Sequence, residues 1–155
     1  MSIIPIITEP NSILRKKAEE VASDLIPDVK QLITDMIETV NNAKGIGIAA
    51  PQVGKSLRIV IINTEDEPMI LINPVIVSHS WRKVIDEEGC LSVPGKFGLI
   101  KRPVNVKVET LDENGKFIKF KAKGLFARVI QHELDHLDGI LFIDKVINYT
   151  NDVQL

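Results

Sequence analysis

Gln131-His132-Glu133-Leu134-Asp135-His136 is the stretch on which the reading of this chain turns, and it lies in a helical pattern running from about Leu125 to Leu137. At about 3.6 residues per turn, His132 and His136 fall one turn apart on the same side of a helix, so both imidazoles can point at one ion. At about 100° per residue, Phe126, Val129, Ile130, Leu134 and Leu137 form a broad apolar arc with the histidine pair along its edge. The histidines therefore face inward. Glu133 falls on the inward half as well, whereas Arg128, Gln131, Asp135 and Asp138 are expected on the opposite, solvated side. Gly139 supplies the stop expected just past a helix end.

A His-Glu-x-x-His pattern joins two neutral imidazoles that hold a cation to a carboxylate placed to take a proton from metal-activated water. The chain has three histidines, and this motif uses two of them. The motif does not name the third ligand. Cys90, the single cysteine, stands in Asp86-Glu87-Glu88-Gly89-Cys90-Leu91-Ser92-Val93-Pro94. Three carboxylates just before it would hold the thiol protonated unless a metal bound the deprotonated sulfur, so Cys90 is the candidate third ligand. An inert buried cysteine is the competing reading.

Length and composition set the frame. The 155 residues are 45% hydrophobic and 26% charged with a net charge of -2, the profile of one globular domain spanning 1-155 with no basic footprint for nucleic acid. One cysteine excludes an internal disulfide and fits a reducing, cytoplasmic setting. The opening Met1 to Ile7 has no basic n-region and is not a signal peptide by pattern, and no apolar run approaches the ~20 residues of a membrane helix.

Along the chain, Pro10-Asn11-Ser12 caps a short polar helix through about Ala18. Val29, Leu32, Ile33, Met36, Ile37 and Val40 repeat at three and four, an amphipathic helix closed by Lys44 and a Gly45 cap. Gly45-Ile46-Gly47-Ile48-Ala49-Ala50-Pro51-Gln52 has side chains too small for an ordinary core strand, so it admits another backbone or a ligand. By composition alone, Gln52 reads as solvated. Leu57 to Ile62 and Met69 to Val77, the latter interrupted by Pro74, are extended. His79 is expected as a solvated turn histidine. Val104 to Val108 alternates, Asp112-Glu113-Asn114-Gly115 turns, and Phe117 to Lys121 returns as a hairpin. Leu141-Phe142-Ile143 reads as a short extended piece. One α+β domain is the economical interpretation.

Taken together, Gly45 to Gln52, Glu88-Gly89-Cys90-Leu91-Ser92 and Gln131 to His136 resemble, in order, the three signature motifs of peptide deformylases. The resemblance implies mostly antiparallel sheets packed around a central helix that carries the His-Glu-x-x-His motif. It implies that Cys90, His132 and His136 bind a divalent metal, ferrous iron physiologically, with zinc, nickel or cobalt as substitutes. The implied substrate is the N-formylmethionyl end of a nascent peptide, hydrolysed to formate and a free amine by a monomeric enzyme. Glu133 becomes the general base and acid, and the Gln52 side-chain amide and Leu91 backbone N-H become the donors to the developing oxyanion. Ile46, Gly47, Ile48 and Gly89 offer main-chain contacts to substrate.

Two departures accompany the resemblance. Many bacterial members carry a basic residue after Val93-Pro94, where this chain has Lys96-Phe97-Gly98. The chain also ends soon after Tyr149, leaving little room for the C-terminal helix by which some members dock on the ribosome. A zinc endopeptidase would draw its third ligand from downstream, where Asp138 and Asp144 are the nearby carboxylates. A non-catalytic metal module would use the same three ligands with a closed fourth position.

Overall fold

In the computed structural model, which describes residues 2–151, two antiparallel sheets take hold of one helix from different sides. Strands β1 (Gly47–Ala49), β2 (Ile59–Ile62), β3 (Met69–His79), β6 (Asn105–Leu111) and β7 (Phe117–Lys123) form a five-stranded sheet in the order β1-β2-β3-β6-β7. Strands β4 (Lys83–Cys90), β5 (Val93–Pro103) and β8 (Asn148–Tyr149) form a three-stranded sheet in that order. The helices are α1 (Lys30–Asn42) and α2 (Gly124–Leu137).

The small residues of Gly47–Ala49 do form a strand, fully buried and paired antiparallel to β2, although their side chains are too small for an ordinary core strand. They form one because β2 supplies what they lack: Ile59 to Ile62 is buried on both faces, packing on α1 from one side and on α2 from the other. Met36 and Val40 of α1 share one core with Ile48, Ile59 and Ile61. Ala127, Ile130, Leu134 and Leu137 of α2 share a second with Val60, Ile62, Leu71 and Val108.

Local departures have local causes. Lys44, not Gly45, takes the left-handed position after α1 (φ 55°), and the Gly45 N-H closes the end on the Val40 carbonyl at 2.9 Å. Gly45 is small for another reason, since a Cβ there would meet Leu91 Cδ1 at 2.9 Å. Pro74 is carried inside β3 by a bulge at Asn73 (φ 51°), whose side chain is bonded to both backbone polar groups of Val21. Asn11 caps a 3-10 turn over Ser12–Arg15, shorter than the helix expected there. Phe142–Asp144 is likewise a 3-10 turn rather than extended chain, because Asp144 Oδ2 accepts from the Leu141 N-H at 3.0 Å and pairs with Arg15. His79 is exposed, as expected, but it is the last residue of strand β3, opposite Val106, rather than part of a turn. Among the described residues no helix is long and apolar enough to cross a membrane.

The largest correction concerns the polar side of α2. Arg128 and Gln131 are buried, and Asp135 is half-buried. The β4–β5 hairpin covers that side, and its charged groups answer those of the helix. Neither β4 nor β5 carries the apolar alternation that would have marked it as covering a core, since the first five residues of β4 are exposed and the sixth, buried one is Glu88. The helix is thus sandwiched between an apolar face and an ion-paired one.

Candidate metal centre and cleft

Cys90, His132 and His136 are drawn from the end of β4 and successive turns of α2, and their ligand atoms lie within 4.8 Å of one another. Cys90 Sγ is 3.3 Å from His136 Nε2. His132 Nδ1 donates to Glu88 Oε1 at 2.9 Å, which leaves Nε2 as the ring's free ligand atom. This is the carboxylate–histidine arrangement that orients an imidazole toward a metal. Stacking against Phe142 at a centroid distance of 6.2 Å fixes the other degree of freedom of the ring.

Glu88 is the hub of the charged network. Its carboxylate accepts from Arg102 Nε at 2.5 Å, Arg102 Nη2 at 2.9 Å and Arg128 Nη1 at 2.7 Å, besides His132. Burial alone would raise its pKa, but the bonds from His132 and Arg102 prevail and hold it down at about 2. Arg102 continues to Asp135 at 2.9 Å, and Arg128 also donates to the Ile100 and Val84 carbonyls. Sequence reading grouped Glu88 with Asp86 and Glu87 as charges acting on Cys90. Asp86 and Glu87 are exposed, and Glu88 is taken up by its arginines, so no carboxylate cluster bears on the sulfur.

Charge in the pocket is unevenly placed. Burial opposes a charged His132, yet its bonding to Cys90 and Glu88 outweighs that and pushes its pKa up to about 10, while burial holds His136 well below the ordinary histidine value. One sulfur and two imidazole nitrogens within 4.8 Å of one another form a donor set that suits first-row divalent ions. The residues present therefore fit a metal.

Glu133 sits one residue past His132 with 4% of its surface exposed, and its Oε2 has no hydrogen-bond partner. Burial raises its pKa to about 7. Gly47 of β1 is what leaves room for it, since a Cβ there would stand 3.1 Å from Glu133 Cγ and 3.1 Å from Val129 Cγ1.

Gln52 is buried, not solvated, at 1% exposure. Its Oε1 accepts the Ala49 N-H at 2.9 Å, which turns the amide nitrogen toward Ser92 Oγ at 3.1 Å and Cys90 Sγ at 3.7 Å. The amide is therefore oriented by its own loop. Leu91, in the turn between β4 and β5, lines with Gln52 and Glu133 a cleft of about 490 Å³. Ile46, Gly47 and Gly89 border the same cleft. Ile48 does not: it is fully buried in the α1 core. Val129 lines the cleft and Ile130 does not, being buried in the core beneath α2.

Four residues of the site escaped sequence reading. Glu88 stood within a quoted motif and Arg128 one turn before His132, so both had a positional hint. Ser92 closed the same quoted motif as Glu88, whereas Arg102 had no hint, because its place depends wholly on partners brought from elsewhere in the chain.

The description "Polypeptide deformylase" belongs to the family whose sequence model matches residues 3–152. The chain is 48% identical over 151 residues to the peptide deformylase of Thermodesulfovibrio yellowstonii, covering 94% of this chain and 90% of that one. It is 47% identical over 155 residues to that of Finegoldia magna, covering 98% and 94%. Its fold matches the Met-Ala-Ser-bound crystal structure of a class I type b peptide deformylase from Acinetobacter baumannii with a TM-score of 0.91 at 34% identity, over 94% of this chain and 100% of that one.

Proposed function

The chain belongs to the polypeptide deformylase family, and on that premise we propose how its residues, acting as one catalytic domain, remove the N-formyl group from newly made polypeptides. The observation that carries the assignment is the convergence of Cys90, His132 and His136 beside the buried, unpartnered carboxylate of Glu133.

A divalent ion held by those three ligands supplies the Lewis acidity that makes water nucleophilic at neutral pH. Ferrous iron is the assignment, with zinc, nickel or cobalt able to replace it at a sulfur–imidazole site. Glu133 takes the proton of the attacking water and returns it to the leaving amine. A pKa raised to about 7 suits both halves of that task, because the group gives and takes a proton near working pH. The Gln52 amide N-H and the Leu91 backbone N-H donate to the oxygen on which negative charge develops. One such donor is worth roughly 3 kcal/mol of barrier. The bare backbone around Gly45, Gly47 and Gly89, with the main chain of Ile46 and Ile48, aligns the peptide, and Val129 contributes to an apolar wall for the methionine side chain. A monomer in the cytoplasm, meeting nascent chains by diffusion, suffices for this role.

The endopeptidase alternative loses its ligands: Asp138 pairs with Arg58 at 3.0 Å and Asp144 with Arg15 at 2.6 Å. A non-catalytic metal module leaves the orphaned Glu133 oxygen and the aimed Gln52 amide without purpose.

The test is formate release from formyl-Met-Ala-Ser by anaerobically purified, iron-loaded protein, with Glu133→Ala alongside. Release by the wild type, abolished in the variant while one metal per chain is retained, supports the assignment. Equal release by both removes Glu133 from its role, and no release by loaded wild type overturns the activity.

A further inference from the structure

The mouth of the cleft differs from its floor. Ile46, Leu125 and Phe97 border it and stand 52%, 64% and 44% exposed, an apolar rim facing water. Phe97 is not a stray surface residue. Its ring lies so close over Gly89, one position before Cys90, that a Cβ on Gly89 would come within 2.6 Å of Cδ1 and Cε1. Bare backbone is the condition for the ring to settle there.

The main chain of Phe97 is held from the other side by the C-terminal segment. Its N-H donates to Asn151 Oδ1 at 3.1 Å and its carbonyl accepts from the Thr150 N-H at 2.9 Å. The Asn151 amide also donates to the Gly95 carbonyl at 2.5 Å. Next to it, Tyr149 of β8 pairs with Gly98, and Val146 crosses Gly98 so closely that no side chain fits at that position. Both backbone polar groups of Phe97 are thus occupied by residues 150–151. A hairpin segment that would otherwise be a free rim is strapped down with its aromatic ring in the cleft.

We propose that Phe97 is a specificity-determining residue, an apolar wall that favours an apolar side chain at one of the two positions after formylmethionine, and that Asn148–Asn151 is the strap that holds this wall. The inference rests on the deformylase reading. With the formyl group at the cysteine–histidine cluster, the peptide leaves past Gly89 and beneath the Phe97 ring. An apolar side chain there removes both surfaces from water, whereas an amide of the same size loses its hydration without finding a partner on the ring. Lys44, Lys96 and Glu87 also border the cleft, so the comparison that isolates the wall is between uncharged, near-isosteric residues.

The experiment measures formate release from formyl-Met-X-Ala and formyl-Met-Ala-X with X as Leu or Asn, on iron-loaded wild type, Phe97→Ala, Phe97→Leu and Asn151→Ala. The wild type should prefer Leu by about tenfold in kcat/KM at one of the two positions, expressed mainly in KM because the contact is remote from the reacting bond. Phe97→Ala should bring that ratio close to one, Phe97→Leu should retain most of it, and Asn151→Ala should reduce it. General misfolding lowers both peptides together and leaves the ratio intact, so a preserved ratio in Phe97→Ala overturns the wall. A full ratio in Asn151→Ala overturns the strap. Equal wild-type rates for Leu and Asn overturn the inference alone, and no formate from any peptide overturns the deformylase reading and this inference with it.

Discussion

Glu88 and His132, 44 residues apart in sequence, meet at 2.9 Å, and the carboxylate that orients this imidazole is the same one that neutralises two buried arginines. One side chain therefore links the orientation of the His132 ring to the docking of the small sheet on α2. Removing a partner from such a network leaves charge buried and unpaired, which is costlier than the net worth of the pair.

Glu88→Gln should accordingly destabilise the protein by roughly 3–5 kcal/mol and weaken metal affinity by about tenfold to a hundredfold. Chemical denaturation of the metal-free protein reads the first effect, and competition with a chelator reads the second. A variant as stable as the wild type would remove Glu88 from the centre of the network.

Gly47→Ala places a methyl 3.1 Å from Glu133 Cγ and Val129 Cγ1. The helix backbone is anchored on both sides, so the Glu133 side chain is what yields. The expected outcome is a loss of about tenfold or more in kcat with secondary structure intact, since misplacing a catalytic group by a fraction of an ångström is enough. Steady-state kinetics beside circular dichroism decides it.

Gln52 owes its orientation to two partners, and they can be tested separately. Ser92→Ala removes the 3.1 Å partner of the amide nitrogen, while the Ala49 N-H still holds the oxygen. Turnover should fall modestly, within about tenfold. Gln52→Ala should lose about a hundredfold or more in kcat if its amide donates to the transition state. Similar losses in the two variants would point to packing rather than donation.

The Arg15–Asp144 pair gives a pH test away from the cleft. The hydrogen bond from the Arg15 guanidinium holds the Asp144 carboxyl below its ordinary value, against the opposing pull of partial burial. A carboxyl depressed on folding adds stability that is fully present above the unfolded value of about 4 and disappears as pH falls through the lower folded value. Asp144→Asn, which keeps an acceptor for the Leu141 N-H, should therefore melt below the wild type at pH 7, with the gap closing below about pH 4. The pair is solvent-facing, so the gap should correspond to less than about 1 kcal/mol. Thermal melts from pH 3 to pH 7 measure it, and a gap that widens toward low pH would contradict the sign.

Some elements were legible because a single periodicity decided them. Both helices, β2 and the β6–β7 hairpin carry their apolar spacing in consecutive residues, and Gly115 and Gly139 take the positive φ that their turn positions demand. The β4–β5 hairpin was not legible, because its inward groups are Glu88 and Arg102, which look like surface residues until each is seen beside the other.

The sequence by itself was enough to nominate the candidate ligand set and the candidate base, since His132, Glu133 and His136 lie within about one turn of one helix and Cys90 is the chain's single cysteine. Helical spacing is local, so local sequence suffices to state it. Tertiary structure alone decided that the polar side of α2 is buried, that Gln52 faces the sulfur rather than water, and that Phe97 lies over Gly89 under a C-terminal strap. Each of those depends on groups far apart in the chain meeting with complementary charge or shape, and no periodicity along one segment encodes the identity of a partner on another.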